Sequence, residues 1–252
     1  MDNHRHDHAT YPPLNTLKPV ATDVWIVDGP VIRFGLPFLK FSFSTRMTII
    51  RLPGDELFIH SPTPLTDGLR AEIAAIGQPR WLIGPNRIHY WWLPEWHRAF
   101  PESDVFLAPR VQEQAGDHID FPTRILEKSR GYPWDDLIRT YPVKGRFMTE
   151  VVFFHIPSRT LILVDLIENF EPEKIGSRFM RWLASLGGVL DPDGQMPRDM
   201  RLTYKAHRSA FRMAIKTFIA WDPVRIIIAH GRWYTVDGTK ELRRAFGWIL
   251  KA

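Results

Sequence analysis

Three side chains able to ligate a metal or move a proton sit at the ends of three apolar runs far apart in the chain. His89 follows Arg80-Trp-Leu-Ile-Gly84-Pro85-Asn86-Arg87-Ile88, Asp165 closes Arg159-Thr-Leu-Ile-Leu-Val, and His230 closes Val224-Arg-Ile-Ile-Ile-Ala. An apolar run stopped by Gly-Pro reads as a buried strand ending at a loop. Strands that each deliver a polar group at the carboxyl end build a site at the edge of a layered fold. Two imidazoles and a carboxylate suffice for three protein ligands on zinc with a fourth position open. Without a metal the same groups serve as a general base and its orienting partner. For each histidine the competing reading is a satisfied structural residue, and spacing does not separate the two.

The chain of 252 residues is long enough for a full core, and the absence of cysteine removes disulfides, thiolate zinc and a Cys nucleophile. Any metal must therefore be held by nitrogen and oxygen. The hydrophobic fraction of 44% and charged fraction of 24% are those of an ordinary globule, with no run of apolar residues long enough to span a bilayer. The polar N-terminus lacks the apolar core of a signal peptide, so a cytoplasmic protein without membrane contact is the expectation. A net charge of +5 fits a small anionic substrate better than a polyanionic partner, so nucleic acid is not expected. Ten Trp and 16 Phe exceed what a core needs, and part of that surface is expected to line a pocket. Association into a homo-oligomer stays open.

Residues 1–16, with His4, His6 and His8, read as a disordered tail that binds metal only adventitiously. A single domain then covers residues 17–252. Strands are expected from Asp23, at Arg46–Leu52 and at Glu56–His60, the last two joined by Pro53-Gly54-Asp55, with the aromatic segment Phe34–Phe43 before them. Thr66 can cap a helix over Asp67–Ile76, and a strand follows at Trp81. Short helices at Pro94–Phe100 and Pro109–Ala115 flank a strand at Val105–Ala108, and residues 116–140 are turn-rich and unassigned. A hairpin, Arg146–His155 with Thr160–Asp165, leads into a helical insertion at 166–222 that carries helices over Lys174–Leu186 and Ala206–Trp221. The Ile-rich strand to His230 and a helix over Thr239–Leu250 close the chain. Strands first, with helices alternating later, make an α/β sandwich.

Several phrases resemble one known fold family. A His-bearing loop followed by Leu93-Pro94-Glu95, a hairpin ending Leu163-Val164-Asp165-Leu166, and Ile228-Ala229-His230-Gly231 look like the metallo-β-lactamase superfamily. His60-Ser-Pro-Thr-Pro-Leu65, Pro85-Asn-Arg-Ile-His89, Glu150-Val-Val-Phe-Phe-His155, Pro157-Ser-Arg-Thr-Leu161 and Ala229-His-Gly231 resemble a branch of it with no known function. The likeness covers about residues 17–250 and implies an αββα four-layer sandwich with the site at one edge of the two central sheets.

The chain departs from that family's pattern. Where the superfamily's first loop reads His-x-His-x-Asp-His, this chain has Gly84-Pro85-Asn86-Arg87-Ile88-His89, which keeps only the last His. The histidine of the third motif falls near Gly145-Arg146. The resemblance thus implies that one site of the usual metal pair is lost, while His89, Asp165 and His230 remain of the other. Tyr90 stands where relatives in the branch carry a second His, as a weak ligand or a hydrogen-bonding acid. Two arrangements follow: one divalent ion (zinc, iron or manganese) on His89, Asp165 and His230, or no metal, with Arg87 and Arg146 supplying the positive charge for an anion. The second is preferred, because three ligands beside arginines are a poor place for a cation.

The expectation is an enzyme acting on a small, aromatic and anionic substrate, by hydrolysis or by acid/base lyase chemistry. Its catalytic groups are His89, Asp165, His230 and Tyr90, with Asn86, Arg87, Arg146, Trp91, Trp92 and His60 against the substrate. Trp91 and Trp92 either stack on that substrate or wedge the loop onto the core, and His60 and His155 are either supporting donors or structural. The alternative is a metal-free binding protein or pseudoenzyme on the same fold. The basic segment Arg198, Arg201, Lys205, Arg208, Arg212 and Lys216 has helical spacing and reads as a solvated face, not an RNA-binding one.

Overall fold

The computed structural model describes residues 9–36 and 39–251. The first half runs β1 (Lys18–Ala21), β2 (Val24–Asp28), β3 (Ile32–Leu36), β4 (Leu39–Phe43), β5 (Arg46–Leu52), β6 (Glu56–His60), α1 (Asp67–Ile76), β7 (Gln78–Gly84), α2 (Leu93–Ala99) and β8 (Asp104–Leu107). It continues with α3 (Val111–Ala115), β9 (Arg124–Ile125), β10 (Ile138–Lys144), β11 (Thr149–His155) and β12 (Thr160–Ile162). The last third holds α4 (Arg178–Gly187), α5 (Arg198–Thr203), α6 (Arg208–Ala220), β13 (Arg225–Ile227), α7 (Gly238–Ala245) and α8 (Gly247–Leu250). Among the described residues no helix is long and apolar enough to cross a membrane.

The strands form a seven-stranded sheet in the order β1-β2-β5-β6-β7-β8-β9, a four-stranded sheet β10-β11-β12-β13, and the separate pair β3-β4. Strand β11 shows how the layers arise. Its side chains alternate across the sheet: Val151 and Phe153 join the apolar cluster of the first sheet, while Val152 and Phe154 join the cluster built with α6, α7 and α8. On β12, Ile162 faces the first sheet and Leu161 the helices; Ile227 and Ile226 divide in the same way on β13. Leu69 and Ile73 of α1 and Leu93 and Trp96 of α2 pack with the first sheet. The result is helix, sheet, sheet, helix, the expected αββα sandwich. Each large side chain buried fully in these clusters contributes about 1.5–3 kcal/mol relative to exposure.

Within the first sheet β6, β7 and β8 are mutually parallel, and in the second β12 and β13 are parallel. The carboxyl ends that carry the candidate residues therefore lie along common edges. Helix α1 has the expected bounds, and Thr66 Oγ1 accepts from the Leu69 amide at 3.2 Å. Several segments differ from expectation, among them β1, β9 and α5, which were not foreseen. The aromatic segment before Arg46 is the β3–β4 pair, and the unassigned stretch contains the start of β10 and the buried Trp134, which donates to Thr140 Oγ1 at 2.9 Å. The closing helix is broken at Gly247 into α7 and α8.

At the chain start, residues 1–8 with His4, His6 and His8 lie outside the described residues. Residues 9–16, assigned to the tail by composition, contact the body. Tyr11 Oη donates to Glu171, Thr16 Oγ1 bonds Glu72 at 2.5 Å, and the Asn15 amide donates to the Asp28 carbonyl.

Candidate metal centre

His89, Asp165 and His230 arrive at one point from both sheets. His89 sits in the loop after β7, Asp165 three residues beyond β12, and His230 three residues beyond β13. Their facing atoms form a small triangle: His89 Nε2 to His230 Nε2 is 3.2 Å, His89 Nε2 to Asp165 Oδ1 is 3.4 Å, and His230 Nε2 to Asp165 Oδ1 is 3.1 Å. Among the described residues these three are the cluster able to hold a metal ion.

The outward atoms of all three side chains are engaged. His230 Nδ1 donates to the Ser44 carbonyl at 2.7 Å, which places the proton on Nδ1 and leaves the Nε2 lone pair facing the triangle. His89 Nδ1 lies 2.9 Å from Ser61 Oγ, and Asn86 Nδ2 donates to Asp165 Oδ2 at 2.6 Å, leaving Oδ1 toward the imidazoles. Asn86 is itself fixed, because its Oδ1 accepts the Ile88 amide at 2.9 Å. Glu150 accepts the amides of Val164, Asp165 and Leu166, so the main chain at Asp165 is held from β11. Arg46, with its side chain 1% exposed, pairs with Asp28 at 2.7 Å and donates from Nη1 to the carbonyls of Ile228 (2.7 Å) and Gly231 (2.9 Å). Gly231 has φ +90° and approaches Asn169 so closely that a Cβ would lie 2.0 Å from the Asn169 carbonyl oxygen. Only glycine fits there.

The donor set fits a small divalent cation. Ligand bonds of about 2.0–2.1 Å to imidazole nitrogen or carboxylate oxygen in a tetrahedral shell put neighbouring donor atoms about 3.3 Å apart, and the triangle's edges span 3.1–3.4 Å. The electrostatics agree. Burial alone would raise the Asp165 carboxyl, but the two imidazoles beside it overcome that and hold it well below the usual carboxylate range. For His230, burial opposes the charged form and Asp165 outweighs it, so its pKa is raised. Glu150 is pushed up to about 8 by burial and by the Asp165 charge, against the three amides it accepts. Glu168 is also pushed up to about 8 by burial, with His230 opposing and Asp165 adding to the shift.

The remaining expected site residues lie elsewhere. Asn86 is fully buried and spent on Asp165, so the expectation that it touches substrate gives way to a positioning role. His60 is 2% exposed, its ring 5.5 Å from Phe153 and both nitrogens without a partner; it is a core residue and not a substrate contact. Burial and the neighbouring His89 lower its pKa to about 3. Tyr90 Oη donates to the Gln114 carbonyl at 3.4 Å and the ring stacks on Trp91, so the hydroxyl is engaged on the α3 side. Trp91 is 53% exposed and donates Nε1–H to Ile88, whereas Trp92 packs against the core of the first sheet. Arg87 and Arg146 do not enter the triangle. Together with Arg110, Phe147 and Thr203 they line a separate cavity of about 270 Å³, where Arg87 bonds Phe147 and Gln114. Their expected place at the lost metal corner is therefore corrected.

Sequence reasoning missed Ser44, Ser61, Arg110, Glu150 and Glu168. Only Glu150 carried a usable signal, a carboxylate opening the apolar run Val151-Val-Phe-Phe154 of a strand that is buried throughout. The serines act through a main-chain carbonyl and a hydroxyl whose approach only the fold determines.

The sandwich has well-defined structural neighbours. The metallo-β-lactamase DIM-1 superposes with a TM-score of 0.59 at 12% identity, covering 92% of this chain and 96% of that one. A metallo-β-lactamase from Hirschia baltica gives 0.58 at 18% identity, with 93% and 96% covered. Rubredoxin oxygen:oxidoreductase from Desulfovibrio gigas gives 0.60 at 13% identity, with 94% of this chain and 61% of that one covered. At such identities the likeness establishes the metallo-β-lactamase fold. No curated protein matches the sequence. The model of a domain of unknown function, DUF4336, matches residues 23–176, which include His89, Glu150 and Asp165. The chain therefore belongs to the DUF4336 family, built on the metallo-β-lactamase fold.

Proposed function

We propose that the protein is an enzyme that holds one divalent cation on His89, Asp165 and His230 and hydrolyses a small anionic molecule. The observation that carries this reading is the triangle of two imidazole nitrogens and one carboxylate oxygen with every outward atom pinned. Because those outward bonds set the orientation of both rings and the carboxylate in advance, the site binds without rearranging its ligands. When bound, the ion supplies Lewis acidity, polarising a carbonyl or phosphoryl oxygen. Arg87, two residues before His89, lines a cavity with Arg110 and Arg146 whose positive charge attracts an anion to this side of the molecule. Trp91, exposed beside Tyr90, offers an aromatic face to a substrate ring. Tyr90, one of the four acid/base groups open to a lyase step, turns its hydroxyl to the Gln114 carbonyl and away from the triangle; hydrolysis is favoured on that ground.

A second reading, a closed metal-binding protein without turnover, is favoured by burial. His89 is 8% exposed, His230 3% and Asp165 2%, and the Phe43 ring lies 5.0 Å from His230. Two measurements separate the readings. Elemental analysis of a His4, His6, His8→Ala variant, which removes the adventitious ligands, is expected to give about one zinc, iron or manganese ion per chain, lost in His230→Ala. Less than a tenth of an ion in folded protein would overturn the metal assignment. A panel of small anionic esters, amides and phosphate esters then tests turnover. Stoichiometric metal with no turnover of any of them would select the closed binder.

A further inference from the structure

A second cavity, of about 330 Å³, lies in the helical region away from the triangle. Its charged lining is Arg198, Arg201, Lys205 and Arg208. Among the described residues none of these four forms an ion pair with a carboxylate, although the chain makes many such pairs elsewhere. Asp199, the acid nearest in sequence, turns its Oδ1 to the Met200 amide of its own helix. Arg201 donates only to the Met196 carbonyl and Gln195 Oε1, and burial together with neighbouring Arg198 lowers its pKa. Four cations around one hollow repel one another, and the protein supplies no counter-charge.

Two independent features complete the site. The indole N–H of Trp248, a side chain that lines this cavity, has no protein partner. Unpaired buried donors are costly, and a native structure keeps them where a ligand or water meets them. The 13-residue α6 also begins here at Arg208. It has no capping side chain and no acid in its first turn, and the residues at its start, Lys205 and Arg208, are cationic. A helix amino end, two guanidiniums that can bind in a fork, and a spare N–H donor make up the recognition chemistry of phosphate.

We propose that this cavity binds a phosphorylated small molecule, with its phosphate at the start of α6 among Arg201, Lys205 and Arg208 and its body against Trp248 and Phe211. The volume is at the small end of ligand pockets, which suits a compact molecule and not a polymer. None of its lining residues is a ligand of the proposed metal centre.

The test is calorimetric titration with inorganic pyrophosphate at near-physiological salt, on the full chain and on variants at exposed cavity residues. Saturable binding of one pyrophosphate per chain is expected, weakened about tenfold or more by Lys205→Ala and by Arg208→Ala. Trp248→Phe is expected to weaken it several-fold without lowering the melting temperature, a pattern that a purely structural tryptophan would not give. The proposal is overturned by the absence of saturable heat, by unchanged affinity in Lys205→Glu and Arg208→Glu, or by binding of long RNA with a steep salt dependence that pyrophosphate does not displace.

Discussion

Both imidazoles at the triangle are held from outside it. A main-chain carbonyl accepts from His230, Ser61 contacts His89, and both Nε2 atoms face one carboxylate oxygen. Residues of one chemical type therefore play opposite parts in this protein. His89 and His230 are buried among polar partners that give their lone pairs a direction, whereas His60 is buried without any. His155 is a third kind, buried at the end of β11 with Nδ1 2.8 Å from Ser158 Oγ, and burial pushes its pKa down to about 4. Because its folded pKa lies below the unfolded value, the neutral form contributes stability that is complete above about pH 6.5 and is lost as pH falls toward 4. His155→Gln is thus expected to flatten the loss of stability between pH 6.5 and 4, as read by urea midpoints at half-unit intervals. Unchanged acid sensitivity would remove His155 as its source. The triad residues were legible in the sequence because each closes an apolar run. Asn86 and His60 were misread because a polar side chain in a loop or at a strand end shows nothing of the direction it faces.

At the scale of elements, the carboxyl end of β12 depends on a neighbouring strand. Glu150 on β11 takes three consecutive amides there, the last two belonging to Asp165 and Leu166. Glu150→Gln turns one acceptor into a donor that faces an amide of the same sign. It is expected to cost about 2 kcal/mol or more, seen as a lowered melting temperature, and to loosen metal retention through Asp165. A variant as stable as the wild type would show that the amides find other partners. Strong apolar runs with Gly and Pro punctuation made β5, β6 and α1 readable nearly to the residue and placed β7 at Trp81 without its start. β10 escaped because Arg139, Pro142 and Lys144 break its pattern, a tolerable mixture on a sheet edge. The stretch around Trp134 escaped for a different reason. Its order comes from an indole inserted against Phe58 and Phe106, contacts 76 and 28 residues away in sequence that no local window reveals.

For the whole molecule, the triangle is one of the polar links that join two sheets packed on each other by apolar side chains. The ligand on the His89 loop belongs to the first sheet and the other two belong to the second. An ion that binds only when the sheets are in register stabilises the folded chain by mass action, about 2.7 kcal/mol at a hundredfold excess over Kd. Chelator is therefore expected to lower the melting temperature of the wild type and leave Asp165→Asn unaffected; equal shifts in both would detach the ion from this site. Arg46 makes the same connection without a ligand. Its guanidinium leaves β5, takes its counter-charge from Asp28 on β2, and ends on two carbonyls that bracket His230. One imidazole of the centre is thus suspended from the opposite half of the sandwich, so any shear between the halves reaches it as a displacement of its own backbone.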